Sequence, residues 1–288
     1  MKYFNNKKDI LKKNIKWCIG CGNYSIIYQL GKVFEKIKIN KNKIVIVSGI
    51  GCSSRLPYYI NTFGIHSIHG RPFSIATGIK LSNPKLNVWV ITGDSDSFSI
   101  GLNHLLHTIR NNIDINILII NNEVLSLTKG QKSVTSYNDN NNKTFNILNL
   151  ILSAGSKFVA RCLEFNIKHL KKILIKANKH IGTSCIEILQ NCPIYNNKLN
   201  IKNKYFLKKL IFLKNKKKII YGKKKKKLLI LKNNKPKIIK YNKINELNNK
   251  KYIWIHNYKN IYKSFILSRL HRINKYKLLP LGIIYKKY

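Results

Sequence analysis

The sequence predicts an α/β domain built on a mostly parallel central sheet flanked by helices. Two observations predict it. Four short runs rich in β-branched residues are apolar almost throughout, as strands buried on both faces of a parallel sheet are. Between them lie segments whose apolar residues recur at helical spacing, so strand alternates with helix and the crossovers run right-handed.

The strands are expected over Lys43 to Ser48 (KIVIVS), Asn87 to Thr92 (NVWVIT), Asn116 to Asn121 (NILIIN) and Ser184 to Leu189 (SCIEIL), with a weaker fifth over Lys157 to Arg161. Helices are expected over Tyr24 to Ile37, Phe98 to Ile109 and Asn166 to Ala177. Pro72 suits the first turn of another helix, running to Leu81, because a missing N–H costs nothing there. Ligands in such folds bind beyond the carboxyl ends of the strands. After Pro193 the chain becomes rich in Lys and Asn, with a lysine run from Lys223 to Lys227. A disordered basic tail is one reading of that region. The recurring apolar stretches KKIIYG, KKLLIL, KPKIIKY and KYIWIH predict instead a partly ordered extension.

The chain has 288 residues, enough to bury a real core. It carries 55 Lys and Arg against 10 acids, a formal charge of +45. Such a charge suggests nucleic acid, since cationic side chains neutralise phosphates and release counterions. Only six of the 55 are arginine, the residue that forks onto phosphate and guanine. Alanine is scarcer still, at four, while Lys, Asn and Ile abound. That joint bias is what an A+T-rich coding sequence produces. Much of the charge therefore reads as drift on solvated faces, and nucleic-acid binding is not expected. The first sixteen residues lack the apolar stretch of a secretory signal, and no eighteen apolar residues follow one another. No membrane span is expected, and a cytoplasmic setting is. Six cysteines in that setting suggest metal or reactive thiols rather than disulfides.

Two groups of residues carry chemistry. The first is Cys18 and Cys21 in WCIGCG, Cys52 in GIGCSS and Cys192 in QNCPIY. A two-residue gap lets both thiolates of a CxxC turn reach one metal, and Gly20 and Gly22 allow the backbone to wrap closely. Cys52 and Cys192 each follow a strand and would sit at the carboxyl edge of the sheet. Four thiolates suit either a [4Fe–4S] cluster or a structural zinc, and Cys52 and Cys192 also read as buried small hydrophobes, as Cys162 and Cys185 do. The second group is Gly93-Asp94-Ser95-Asp96 with Asn121-Asn122 at the next strand's end. A carboxylate and an amide oxygen at neighbouring strand ends suit Mg²⁺ completed by phosphate. A helix starting just after Asp96 would turn its amides toward a pyrophosphate. An ordinary capped turn reads equally well.

Taken together, the segments WCIGCGNYSI, SGIGCSSRLPYYINTFGIHSIHGRPFSIATGIKLSNP, VWVITGDSDSFSIGLNHLLHTIRNNIDINILIINNEVLSLTKGQKSVTS and EILQNCPIYN resemble the beta subunits of 2-oxoacid:ferredoxin oxidoreductases. The likeness is dense from Trp17 to Asn196 and looser afterwards. It implies a thiamine-diphosphate-binding fold, with a basic lead-in over 1–16, a thiamine-diphosphate/[4Fe–4S] domain over 17–196 and a Lys/Asn-rich extension over 197–288. It implies that Cys18, Cys21, Cys52 and Cys192 hold the cluster. Asp94, Asn122 and the main-chain oxygen of Val124 would hold Mg²⁺. Ile50, Gly51, Cys52, Ser53, His69, Ser95, Asp96, Ser126 and Leu127 would line thiamine diphosphate, with His69 equally readable as a structural histidine.

The activity implied is oxidative decarboxylation of a 2-oxoacid to an acyl-CoA and CO₂, with electrons passed to ferredoxin. HGRPFSIATGIKL and the chain length look more like the 2-oxoglutarate type than the pyruvate or broad-range types. The glutamate that contacts the aminopyrimidine comes from the alpha (or alpha/gamma) subunit in this family. No general base is apparent here, so the chain alone is expected to be inactive. Two departures stand out: the family usually has glycine at the positions of Ser95 and Ser126. Serine costs little if φ is negative, and on the order of 1–2 kcal/mol if φ is positive. Two other readings stay open on the residues alone, a basic Cys₄-zinc nucleic-acid binder and a decayed subunit kept for assembly.

Overall fold

The computed structural model of the chain describes residues 14–136, 144–197, 203–222, 226–241, 249–271 and 278–287. Eight strands form the central sheet: β1 (Ile44–Ser48), β2 (Phe63–His66), β3 (Asn87–Gly93), β4 (Asn116–Asn121), β5 (Phe158–Leu163), β6 (Ser184–Leu189), β7 (Leu210–Phe212) and β8 (Leu279–Lys286). Their spatial order is β2-β1-β3-β4-β6-β5-β8-β7. The first six are mutually parallel. β8 runs antiparallel to β5, and β7 parallel to β8.

The strand side chains alternate between two cores. Val45, Val47, Val88, Val90, Ile117 and Ile119 face helices α2 (Pro72–Ser82), α3 (Asp94–Phe98), α4 (Leu102–Arg110) and α5 (Ile147–Ser153). Ile44, Ile46, Trp89, Ile91, Leu118 and Ile120 face α1 (Asn23–Ile37) and α6 (Ile167–Asn178). Each such side chain contributes about 1.5–3 kcal/mol by leaving water. This double burial is why the strands carry no polar alternation. Register places Gly93 beside Ile120, so the residues that follow β3 and β4 emerge next to each other at the carboxyl edge.

β4 and β6 form over the residues their sequences predict, and β3 extends by one residue. The weaker fifth strand is displaced toward Leu163. The helix expected over Phe98 to Ile109 divides into α3 and α4. Ser99 leaves helical geometry at φ −97°, ψ −92°. A Cβ on Gly101 would stand 2.5 Å from the Asp96 carbonyl oxygen and 3.0 Å from the Gly70 Cα, so the 69–70 loop wedges into the break. Helical geometry also begins at Asp94 rather than after Asp96, and lasts five residues. The expected long helix aimed at a pyrophosphate is therefore a single tight turn with Asp94 and Asp96 inside it.

Strands β2, β7 and β8 and helix α5 were not foreseen. β2 is an edge strand whose residues are mostly exposed, and β8 contains Pro280 and Gly282 within its run LPLGIIYK. β7 and β8, both from the extension after residue 196, complete the sheet begun by 17–196. KKLLIL and KPKIIKY form an antiparallel hairpin, Lys227–Lys232 with Lys235–Lys240. Asn233 and Asn234 turn it at φ 49° and 57°, the left-handed pair a tight two-residue turn requires. The lead-in up to residue 13 and lysines 223–225 lie outside the described residues. Among the described residues no helix is long and apolar enough to cross a membrane.

Candidate cofactor cleft and cysteine rim

A cleft opens at the carboxyl ends of β1, β3 and β4. Ile50, Gly51, Cys52 and Ser53 line it from the loop after β1, Asp94, Ser95 and Asp96 from α3, and Asn122, Val124, Ser126 and Leu127 from the loop after β4. His69 and Gln190 close its sides. Every residue expected to touch thiamine diphosphate or Mg²⁺ thus borders one cavity.

Asp94 is buried, and one of its carboxylate oxygens accepts from the Ser133 hydroxyl at 2.6 Å and from the Thr135 hydroxyl. Burial holds its carboxyl above the usual carboxylate range, against the pull of those hydroxyls and of backbone amides. Asn122 sets its own loop: its Oδ1 accepts from the Val124 amide at 3.2 Å and its Nδ2 donates to Ser126 Oγ at 2.9 Å. Asp96 serves as an anchor. Its carboxylate accepts from the Gly70 amide at 2.9 Å and from the Thr92 hydroxyl at 2.8 Å, and meets His69 Nδ1 at 2.7 Å. A Cβ at Gly49 would lie 1.8 Å from Asp96 Oδ2, so glycine is required there for that anchor to seat. His69 is thereby oriented by Asp96 while its ring stays half exposed.

Three features fit a magnesium diphosphate. Asp94 is a desolvated carboxylate with oxygen neighbours, which a divalent cation would compensate. The Ser95 hydroxyl is buried and has no hydrogen-bond partner among the described residues. Gly51 adopts φ +125°, and the space a Cβ would occupy beside it is open. Ser95 lies within α3, and neither it nor Ser126 has a positive φ, so the strain anticipated for serine at these positions does not arise.

Of the four cysteines Cys52 lines the cleft itself, while Cys192 and Cys21 lie against two other lining residues, Ser126 and Gln190. Cys18 and Cys21 share a turn closed by the Cys21 amide donating to the Cys18 carbonyl at 3.1 Å, with Gly20 at φ +79°. The Trp17 indole donates to the Cys52 carbonyl at 2.7 Å and ties that turn to the loop after β1. Burial pushes the Cys21 thiol up to about 11, and the charges of Cys52, Cys192 and Cys18 push the same way. Cys52 is raised by burial first, then by Cys192 and Cys18. Cys21 thus feels the other three cysteines, and Cys52 feels Cys18 and Cys192. Among the described residues no three His, Cys, Asp or Glu side chains are drawn tightly enough to hold a metal ion. The donor set, four soft sulfurs from three stretches of chain, fits an iron–sulfur centre and equally a zinc. Cys162 and Cys185 are fully buried, one in each core, with thiols raised by burial.

Several residues that shape the site escaped sequence reasoning. Ser133 and Thr135 are two. Others form a polar row across the sheet: Asn121 Nδ2 donates to Glu187 Oε1 at 2.9 Å, and Arg161 Nε donates to Glu187 Oε2 at 2.7 Å, all buried. Thr135 reaches the same Asn121 at 3.2 Å, which links the row to Asp94. A Glu and an Arg inside two apolar runs were the available signal, since buried charges need partners.

Glu164, beside the cysteine turn, is another. A Cβ at Gly22 would lie 2.4 Å from its Cγ. Burial pushes its carboxyl up to about 7, although the Phe165 and Asn191 amides pull it down. Because the folded chain binds this proton more tightly than the unfolded chain, the contribution of Glu164 to stability is full below pH ~4.5 and is lost as pH rises toward 7. Glu164→Gln is expected to remove that loss, a gain on the order of 3 kcal/mol above pH 7 and none below pH ~4.5. Urea unfolding of both proteins across that range checks it.

Residues 49–188 match the family described as thiamine pyrophosphate enzyme, C-terminal TPP binding domain. The chain is 45% identical over 193 residues to 2-oxoglutarate oxidoreductase subunit KorB of Mycobacterium tuberculosis, covering 64% of this chain and 52% of that subunit. It is 37% identical over 188 residues to 2-oxoglutarate synthase subunit KorB of Archaeoglobus fulgidus, covering 62% of this chain and 70% of the relative. The match thus spans about half the length of the mycobacterial subunit. Among solved structures, a chain of the 2-oxoglutarate:ferredoxin oxidoreductase from Magnetococcus marinus, with 2-oxoglutarate, coenzyme A and succinyl-CoA bound, superposes with a TM-score of 0.78 at 25% identity. That superposition covers 100% of this chain and 87% of that one.

Proposed function

The chain belongs to the family of 2-oxoacid:ferredoxin oxidoreductase beta subunits, and from that premise we propose that it is the thiamine-diphosphate-binding, iron–sulfur-carrying subunit of a 2-oxoglutarate:ferredoxin oxidoreductase. The reaction is the oxidative decarboxylation of a 2-oxoacid to an acyl-CoA and CO₂, with electrons leaving through a [4Fe–4S] centre to ferredoxin in the cytoplasm. The observation that carries this reading is that Cys52 lines the cleft beside Asp94 and Asn122 while the charges of Cys192 and Cys18 both act on its thiol.

Thiamine diphosphate, when bound, supplies the carbon nucleophile that attacks the oxo carbon and the sink for the electrons CO₂ leaves behind. The chain's own residues bind, orient and exclude water. Asp94, Asn122 and the Val124 carbonyl would hold Mg²⁺, with Ser133 and Thr135 fixing the Asp94 carboxylate. The loop from Ile50 to Ser53 and the Ser95 hydroxyl would meet the diphosphate, and Asp96 keeps His69 at the cleft edge. Cys18, Cys21, Cys52 and Cys192 would carry the cluster at the same mouth, which keeps the electron path short. The group that acts on the aminopyrimidine is the glutamate of the partner alpha (or alpha/gamma) subunit that the family resemblance implies.

2-Oxoglutarate is favoured over pyruvate because the relatives' names and the solved neighbour's substrate point that way. The test is anaerobic purification with the partner subunit, iron and sulfide analysis, and assay across several 2-oxoacids. The complex is expected to be brown, to bleach on reduction and to turn over 2-oxoglutarate fastest. The single chain is expected to turn over none. A colourless protein holding one zinc and binding nucleic acid in a salt-sensitive way would overturn the reading. Faster turnover of pyruvate would move the substrate to the alternative class.

A further inference from the structure

We propose that hydrogen bonds from Gln190 and Ser126 to two of the four rim sulfurs set the reduction potential of the centre those sulfurs hold. The inference rests on the iron–sulfur reading above and deepens it.

Gln190 follows β6 and is buried, at 2% exposure. Its main-chain amide donates to the Asn121 carbonyl at 2.9 Å, which fixes it to the end of β4. Its side-chain Nε2 donates to the Asn191 carbonyl at 2.8 Å and to Cys21 Sγ at 3.3 Å. A carbonyl only accepts, so the first bond fixes which end of the amide is nitrogen and leaves the other N–H for sulfur. Packing holds that orientation: a Cβ at Gly22 would lie 2.8 Å from the Gln190 Cγ.

Ser126 makes the second contact, 3.5 Å from Cys192 Sγ. Its oxygen already accepts from Asn122 Nδ2 at 2.9 Å, so its own proton is available to the sulfur. The position that departs from the family's glycine thus adds a donor that glycine cannot supply.

The chemistry follows from where charge accumulates. Reduction adds one negative charge, shared between iron and the coordinating sulfurs. A donor aimed at a sulfur stabilises the reduced form more than the oxidised one and raises the potential. Both donors lie on residues that also line the cofactor cleft, so the tuning acts on the side where electrons arrive.

The experiment is a potentiometric titration of the assembled enzyme, followed by visible absorbance and electron paramagnetic resonance. Wild type is compared with Gln190→Met, Ser126→Gly and the double variant. Methionine keeps the length and neutrality of glutamine without the donor. At a fixed potential, Gln190→Met is expected to show a reduced-to-oxidised ratio about tenfold lower, about 59 mV for one electron. Ser126→Gly is expected to shift the same way by a smaller factor, and the double variant by both together. If Gln190→Met fails to assemble, Ser126→Gly alone decides the point, since it restores the smaller residue on a partly exposed turn. An intact centre whose potential ignores the replacements would overturn this inference and leave the iron–sulfur reading standing. A wild-type complex without iron and sulfide would overturn both.

Discussion

Replacing Asp94 by asparagine is expected to weaken magnesium-dependent binding of thiamine diphosphate at least a hundredfold, about 2.7 kcal/mol or more. The variant keeps the shape of the side chain, and its amide oxygen still accepts from Ser133 and Thr135. It loses only the charge. In the absence of a cation that charge is a burden, because burial already holds the carboxyl above its usual range. The same variant should therefore unfold at a temperature no lower than that of wild type when neither magnesium nor cofactor is present. The two effects have opposite signs, so general damage to the fold cannot mimic them. Calorimetric titration gives the affinity and thermal unfolding gives the stability. Affinity within tenfold of wild type would show that Asp94 does not hold the cation.

Cys192→Ser is expected to abolish the visible absorbance and to leave well under half of the iron and sulfide of wild type. Serine is a harder and far less acidic ligand than cysteine, and a four-sulfur cluster tolerates its loss poorly. The backbone at this position does not depend on sulfur: residues 192 and 196 exchange two amide–carbonyl bonds, at 3.2 and 3.0 Å. Cys162→Ser is the contrasting case. It should retain the full cluster while costing about 1–3 kcal/mol, because a hydroxyl would be stranded in the core beneath α1 and α6. Iron and sulfide per chain, measured beside urea unfolding, separate the two. Full metal content in Cys192→Ser would remove that residue from the ligand set.

What the sequence disclosed follows from where energy is concentrated. β3, β4 and β6 could be read almost residue for residue because both their faces are buried and most of their positions therefore take apolar, mostly branched side chains. β2 could not. Phe63 and Ile65 stand two apart but are 60% and 40% exposed, so the pair marks no buried face and is too short to announce a strand. β8 hides a buried strand behind a proline and a glycine. The break between α3 and α4 depends on the approach of Gly70 from a distant loop, which local spacing does not encode. At the site, the cysteines and the Asp-Ser-Asp turn were legible because sulfur and oxygen donors at strand ends are uncommon. Ser133, Thr135, Gln190 and Glu164 were not. Their importance lies in what folding sets beside them, and a lone hydroxyl or amide in a loop has no spacing rule to announce it.

The order of strands constrains when the molecule can be finished. Among the described residues, Leu210–Phe212 joins the sheet only through Leu279–Lys286. On the ribosome, the nascent chain can close the parallel half, with its cleft and cysteine turn, long before the far edge has anything to pair with. Some seventy residues of translation separate the edge strand from its partner. Through that interval the flank of Phe158–Leu163 is bare. The dense lysines of the intervening segment, by mutual repulsion, are well suited to keep neighbouring nascent chains from pairing there first.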